Sequence, residues 1–275
     1  MGVAGLGCEP STVSEIEIPL VGGNLNDVVR VGDTVRRPTG PHSPAVHSLL
    51  VHLERIGFDG APRLLGIDDK GREVLSWIEG DTIGPQGSPA LDDVRAAAAL
   101  LREVHDATES YDLDEAAPWF SGANDPEGGE RIVHGDFAPW NLIVGTNRWS
   151  IIDWDMARPG RVVWDTSYAM HTIARLWPGA PEWQSTPLSC TEIVARIEAF
   201  AHGYGMDELL LRETLLLVPE RSDSIAIGTE RLASEGHAAF ARLVTDGHPQ
   251  AWREAAVYAG ERLNEWLSAL GLQTG

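Results

Sequence analysis

The hydrophobic pattern changes its period once, at Gly80, and that change constrains the fold of this chain more than any other feature. Upstream, apolar residues come in short strand-like runs. SEIEIPL, LNDVVRV and TVRRP, separated by Gly22-Gly23-Asn24 and Gly32-Asp33, predict an antiparallel meander. SPAVHSLLVHLERIG places Val46, Leu49, Leu50 and Leu53 on one helical face and ends at Gly57, and LLGIDDKGREVL then predicts a second strand pair turning at Lys70. Downstream, the spacing is helical. Leu91, Val94, Ala98, Leu101 and His105 form one stripe, with Ser88 as a cap, Pro89 in the first turn, and Asp92 and Asp93 near the positive helix end. Ile193, Ile197 and Phe200 form a second stripe behind Ser189 and Glu192, which have capping-box spacing, with Gly203 and Gly205 at the exit. Trp252, Ala256, Ala259, Leu263, Trp266 and Leu270 form a third. The expectation is an α+β chain: an antiparallel β-lobe with one helix over residues 1–79, then a larger, mainly helical lobe over 80–275.

Charge narrows the function. With 275 residues and 43% hydrophobic content the chain can bury real cores, and its formal net charge of −20 repels nucleic acid and anionic membrane surfaces. No run approaches 18 apolar residues and the first 20 residues lack a basic start and an apolar core, so the expected location is the cytoplasm. Cys8 and Cys190 form no metal site by themselves, and Cys190 is expected in a linker. The only lysine, Lys70, falls in a turn, so any side-chain phosphate clamp must be an arginine. Most of the negative charge lies after residue 80, which would attract a cationic acceptor to carboxylates such as Glu220, Asp223, Glu230 and Glu235.

Between the helical stretches lies ERIVHGDFAPWNLIVGTNRWSIIDWDMARPG, with three β-prone runs and polar residues at their ends. If NLIV and WSII pair across Gly145-Thr146-Asn147-Arg148, Asn141 and Asp153 meet at the open end of the hairpin. Oxygen donors of that kind suit Mg²⁺ together with substrate phosphates. Asp136, five residues before Asn141, can then stand near the cation without binding it and accept a proton from a hydroxyl. Asp and Asn are also common turn formers, and the spacing by itself leaves that reading open. His134 is expected to make an orienting hydrogen bond. Asp155 is expected to serve the turn before Pro159-Gly160, and Asp165 to cap a helix or brace the loop.

Taken together, HGDFAPWN at 134–141, IIDWD at 151–155 and the later Asp165 resemble the aminoglycoside phosphotransferase family. The resemblance extends from about residue 16 to residue 270. It implies a two-lobed protein-kinase-like fold and an enzyme that moves the γ-phosphoryl group of ATP, with GTP left open, to a hydroxyl of a small molecule with the help of Mg²⁺. It further implies Asp136 as the catalytic residue, Asn141 and Asp153 as metal ligands, and His134 and Asp165 as structural support. Gly23 and Asn24 fall in the nucleotide-covering loop, and Trp77 and Ile78 in the hinge that meets the base. Where the family has Val-x-Lys, this chain reads Val35-Arg36-Arg37-Pro38; only one of the two arginines can face the nucleotide, and the offset from Val35 favours Arg37 as the clamp, with Arg36 as the alternative. No glutamate stands at the start of the following helix to pair with it: Val46 and His47 occupy that place, and Glu54 is too far along. That departure keeps a catalytically silent, nucleotide-binding regulator as the alternative. Oligomeric partners cannot be read from the sequence.

Overall fold

Strand-like runs upstream of Gly80 pair into one antiparallel sheet in the computed structural model, which describes residues 16–20, 28–83, 89–114, 116–120, 122, 124–178 and 187–273. Its strands are β1 (Ile18–Pro19), β2 (Val29–Val31), β3 (Thr34–Arg37), β4 (Leu64–Ile67) and β5 (Glu73–Ser76), in the order β1-β2-β3-β5-β4. The register of β3 on β5 sets Val35 opposite Leu75 and Arg37 opposite Glu73. The helix α1 (Ser43–Arg55) buries Val46, Leu49, Leu50 and Leu53, and Gly57, at φ +80°, releases the chain in the left-handed conformation that glycine tolerates best. Gly22, Gly23 and Asn24 lie outside the described residues.

After Gly80 a three-stranded sheet, β6 (Asp81–Thr82) with β8 (Leu142–Val144) and β9 (Trp149–Ile151), and a pair of β7 (Arg131–Val133) with β10 (Arg158–Gly160) carry the polar-ended runs. The β8-β9 hairpin has the expected turn, with the Gly145 N–H donating to the Arg148 carbonyl at 3.1 Å. The helices are α2 (Leu91–Thr108), α3 (Val162–Ile173), α4 (Cys190–Tyr204), α5 (Glu208–Ser234), α6 (Ala238–Thr245) and α7 (His248–Ala269). Buried side chains from α1 to α5 and from α7 form one continuous apolar cluster. The segment after α1 helps to join the lobes: the Gly60 carbonyl accepts from the Ile151 N–H at 2.8 Å.

Local details differ from the expectations in a few places. Ala90, not Ser88, precedes the first turn of α2; Asp93 reaches back to accept from the Ala90 N–H at 2.9 Å, and Pro89 stands before the cap. Ser88 itself lies outside the described residues, and Leu91 is exposed because it enters the helix before the buried face begins. Cys190 opens α4 directly behind the Ser189–Glu192 capping box instead of lying in a linker. Gly205 takes the left-handed C-cap of α4, but Gly203 has a different reason to be glycine: a Cβ there would stand 2.2 Å from the Arg95 carbonyl oxygen of α2. Gly203→Ala is therefore expected to lower stability by about 1–3 kcal/mol through forced separation of α2 and α4, read from urea denaturation midpoints.

Candidate active site

The loop leaving β7 is fixed by its backbone before its side chains act. Gly135 has φ +77°, and a Cβ there would lie 2.4 Å from the Met156 carbonyl oxygen, so only glycine permits this crossing. Asp165, in the first turn of α3 and 1% exposed, accepts from the backbone N–H of His134 at 3.1 Å and of Gly135 at 2.9 Å. It also contacts His105 Nε2 of α2 at 3.1 Å, whose Nδ1 meets the Tyr204 hydroxyl at 2.8 Å. Burial works to raise the Asp165 pKa, but the His105 contact and the loop N–H groups outweigh it and hold the pKa below its ordinary value. Asp165 thus braces the loop rather than capping a helix.

His134 is buried, and its partners define its tautomer. Nε2 lies 3.1 Å from the Ile152 carbonyl and so carries the proton, while Nδ1 receives the Asp136 backbone N–H at 3.3 Å. Burial lowers its pKa, so the ring is neutral and positions Asp136 from within its own loop.

Asp136 is half-buried and gripped by neutral donors. Asn141 Nδ2 donates to its Oδ2 at 2.8 Å and to its carbonyl at 2.9 Å, the Tyr168 hydroxyl of α3 donates to Oδ1, and the Trp140 indole also reaches it. Burial raises its pKa, and the charge of Asp153 adds to that; despite the opposing hydrogen bonds the pKa is pushed up to about 6. A carboxylate with that pKa, ionised at neutral pH yet willing to take a proton, suits a general base.

Asn141 closes a 3₁₀ turn over Pro139–Asn141, and because both neighbours of its Nδ2 are acceptors, the amide must present its Oδ1 away from Asp136. Its carbonyl accepts from the Ile152 N–H at 2.9 Å, which brings Asp153 alongside. Asp153 adopts the left-handed conformation at φ 60°, uncommon for a side chain other than glycine and frequent at functional sites. Its side chain is 43% exposed. One amide oxygen and one carboxylate fit a hard cation that completes its shell with water and phosphate. Among the described residues there is no cluster of three or more acidic, His or Cys side chains able to hold a metal alone.

Arg37 faces this cluster, whereas Arg36 turns to Thr34 and Asp68 on the other side of β3. Arg37 is engaged three ways: with Glu73 at 2.5 Å, with Asp153 at 3.2 Å, and with Asp155. Burial would lower its pKa, but the three carboxylates overcome that and hold it above the ordinary arginine value. Glu73 also meets His47 Nε2 of α1 at 2.7 Å. The acidic partner missing from the helix thus comes from the neighbouring strand, with His47 linking it to α1. Asp155 sits 3.7 Å from His42 as well as against Arg37, so it belongs to this ion cluster and is more than a turn former.

In the segment after β5 that was expected to be the hinge, the Trp77 backbone N–H donates to the Asp33 carbonyl at 2.9 Å and the Arg30 guanidinium lies 4.0 Å from the Trp77 ring centroid. Of the two hinge residues, Ile78 keeps its backbone N–H without a partner among the described residues. Of the four acidic residues expected to meet a cation, Glu230 is bound by both terminal nitrogens of Arg253, Asp223 faces the same guanidinium at 3.9 Å, and Glu235 pairs with Arg231 at 2.7 Å, whereas Glu220 is exposed with no ion pair among the described residues.

Tyr168 and Glu73 were not singled out from the sequence, although the register of β3 on β5 contained the signal for Glu73. A small cavity of about 60 Å³ opens beside Asp136, and Tyr168, Arg158 and the α5 residues Arg221, Ile225 and Leu232 contribute to its wall. A wider depression lined by Glu109, Arg131 and Arg161 shares none of these residues.

A model of the phosphotransferase enzyme family matches residues 45–209. A trifolitoxin immunity protein of Rhizobium leguminosarum bv. trifolii is 35% identical over 195 residues, which cover 69% of this chain and 74% of that protein. Two solved structures share the fold. An ethanolamine kinase of Plasmodium vivax has a TM-score of 0.58 at 13% identity, covering 92% of this chain and 82% of its own. The amicoumacin kinase hAmiN, in complex with AMP-PNP, Ca²⁺ and Ami, has a TM-score of 0.60 at 11% identity, covering 90% and 88%. With its two-lobed kinase-like fold and a family match across both lobes, this chain belongs to the phosphotransferase enzyme family.

Proposed function

We propose that the protein transfers the γ-phosphoryl group of ATP to a hydroxyl of a small molecule. In this reading residues 1–79 hold the nucleotide and residues 80–275 supply the catalytic loop and the acceptor pocket. The observation that carries it is Asp136, a carboxylate with its pKa near 6 held between Asn141 and Tyr168 at the wall of a cavity. Asp136 takes the proton of the acceptor hydroxyl as its oxygen forms a bond to the γ-phosphorus. The bond from that phosphorus to the β–γ bridging oxygen breaks, and ADP leaves with the electron pair. Tyr168 and Asn141 keep the carboxylate aimed, and His134 and Asp165 hold the loop that carries it. Asn141 and Asp153 would hold Mg²⁺, which when bound neutralises phosphate charge during transfer. Arg37 is assigned to the phosphates, Ile78 and Trp77 to the base, and Gly23 and Asn24 to the loop over the nucleotide. A cytoplasmic location suits an enzyme that consumes ATP.

An arginine where the family has lysine favours the second reading of a nucleotide-binding regulator, and in either reading Arg37 must give up Asp153 before it meets phosphate. The two readings separate on turnover. A screen of hydroxylated compounds against γ-labelled ATP, with toxins included because a relative is an immunity protein, should give a labelled product; tight Mg²⁺-ATP binding with no product in any class would favour the regulator. Asp153→Asn is expected to remove the Mg²⁺ dependence of ATP binding while leaving the fold intact, measured calorimetrically with and without Mg²⁺. Equal dependence in the variant and the parent would take Asp153 out of the metal site.

A further inference from the structure

Arg37 and Glu73 stand opposite each other on the neighbouring strands β3 and β5, so the register of one sheet brings them together. Asp153 and Asp155, the other two carboxylates on Arg37, come from the turn after β9 in the second lobe. The acids also differ in the nitrogens they meet. Glu73 Oε1 lies 2.5 Å from Nε, whereas Asp153 meets Nη1 and Asp155 meets Nη2. The Nε end of the guanidinium is therefore held within its own sheet, and its two terminal nitrogens are turned towards the residue assigned to the metal. Those two nitrogens form the fork with which arginine binds phosphate oxygens.

Glu73 is itself fixed at both oxygens. Its Oε2 lies 2.7 Å from His47 Nε2 of α1, and its side chain is 3% exposed. His47 occupies the helix position from which an acidic partner was expected, so strand and helix together supply what the helix lacks. An arginine side chain is long and rich in rotamers, and a guanidinium held by nothing would lose that freedom only when phosphate ordered it. One already held at Nε has lost much of it beforehand. Charge by itself argues the other way: a carboxylate beside a phosphate site repels phosphate, so Glu73 can favour nucleotide binding only by where it holds the arginine.

We infer that Glu73, supported by His47, is a positioning residue for nucleotide binding, holding Arg37 by Nε so that both terminal nitrogens stand ready for phosphate. This rests on the phosphotransferase reading, in which Arg37 meets the phosphates, and deepens it. When Mg²⁺-ATP enters, Arg37 gives up Asp153, which belongs to the other lobe, and keeps Glu73, which belongs to its own sheet.

Calorimetric titration of the purified full chain with Mg²⁺-ATP and, separately, with adenosine tests this. Glu73→Gln should weaken Mg²⁺-ATP binding at least about tenfold, the order expected when one charged contact is lost, and leave adenosine within about twofold. Arg37→Ala should weaken Mg²⁺-ATP binding further, and adding Glu73→Gln to it should cost nothing more, because Glu73 acts through Arg37. A purely structural role would lower the affinity for both ligands and add to the effect of Arg37→Ala; either result overturns the inference. His47→Ala should lose about threefold or more in Mg²⁺-ATP affinity, and His47→Gln, whose amide can still donate to Glu73, should restore it. If Glu73→Gln does not fold, this pair decides, and parental affinity in His47→Ala overturns the inference. Unchanged or tighter Mg²⁺-ATP binding by Glu73→Gln, beside a weakened Arg37→Ala, shows that Glu73 contributes only its charge and overturns the inference while leaving the phosphotransferase reading in place. If Arg37→Ala binds Mg²⁺-ATP as the parent does, the clamp assignment fails and the inference falls with it, while a labelled product in the acceptor screen still keeps phosphotransfer.

Discussion

Asp136→Asn is expected to fold as well as the parent and to turn over at least ~10²-fold more slowly, the loss typical of a positioned acid or base. The amide can still accept from Asn141 Nδ2, and the Tyr168 hydroxyl can turn to accept from the new NH₂ group, so the loop should keep its shape. Nucleotide affinity should change little, because this side chain faces the acceptor cavity. The parent's kcat/KM should rise with pH through about 6, since only the ionised carboxylate can take the hydroxyl proton. Stability should move the other way. A carboxyl whose folded pKa is raised binds its proton more tightly in the folded state, so the stability it contributes is complete below its ordinary pKa of 3.8 and is lost as pH rises through about 6. At pH 7 to 8 the variant should therefore melt higher than the parent, with the gap closing below pH 4. Equal turnover in variant and parent would remove Asp136 from the chemistry, and a lower Tm at pH 8 would show that its carboxylate is needed for folding instead.

Arg37→Ala should produce the largest loss of stability of any substitution considered, about 3–5 kcal/mol, because it leaves Glu73, Asp153 and Asp155 without their shared cation. Glu73 is the decisive one. It is 3% exposed, and without Arg37 its remaining side-chain partner among the described residues is His47. Adding Glu73→Gln to Arg37→Ala should recover part of the loss, and a double-mutant cycle on urea midpoints would measure the coupling. In the nucleotide assay Arg37→Ala should weaken ATP binding far more than adenosine binding, and Arg36→Ala should affect neither, because Arg36 faces Thr34 and Asp68. Arg37→Lys keeps the charge but loses the fork that reaches several carboxylates at once, so intermediate stability is expected. If Arg37→Ala costs less than 1 kcal/mol, the ion cluster contributes nothing net. If Arg36→Ala carries the ATP-specific loss, the phosphate clamp lies on the other face of β3.

These two residues differ in how far their surroundings could be read in advance. Spacing allowed Asp136 to stand near Asn141, and the resemblance carried by HGDFAPWN and IIDWD made that a site rather than a pair of turn formers. The two-residue period of a strand let only one of Arg36 and Arg37 face the site, and the offset from Val35 in the resemblance chose Arg37. What could not be read was what each would touch. Glu73 lies 36 positions from Arg37, Tyr168 lies 32 from Asp136, and Arg221 lies 86 from the Gly135 carbonyl that it binds.

By itself the sequence determined the elements and their order: the strand-like runs before Gly80, the Ser189–Glu192 capping box, the β8-β9 hairpin, and a loop holding His134, Asp136 and Asn141 in series. Each depends on residues within one or two turns of one another, where side-chain period, cap chemistry and turn chemistry act directly. Only the tertiary structure decided the electrostatics. Three of the four carboxylates that looked available to a cationic ligand, Asp223, Glu230 and Glu235, face Arg253 or Arg231, Arg37 is shared among three acids from one strand and the turn after β9, and two buried arginines stand with Asp136 in the wall of its cavity. The physical reason is that composition sums charge over the whole surface, where water screens it, while binding depends on the few charges that folding removes from water and brings within ångströms of one another.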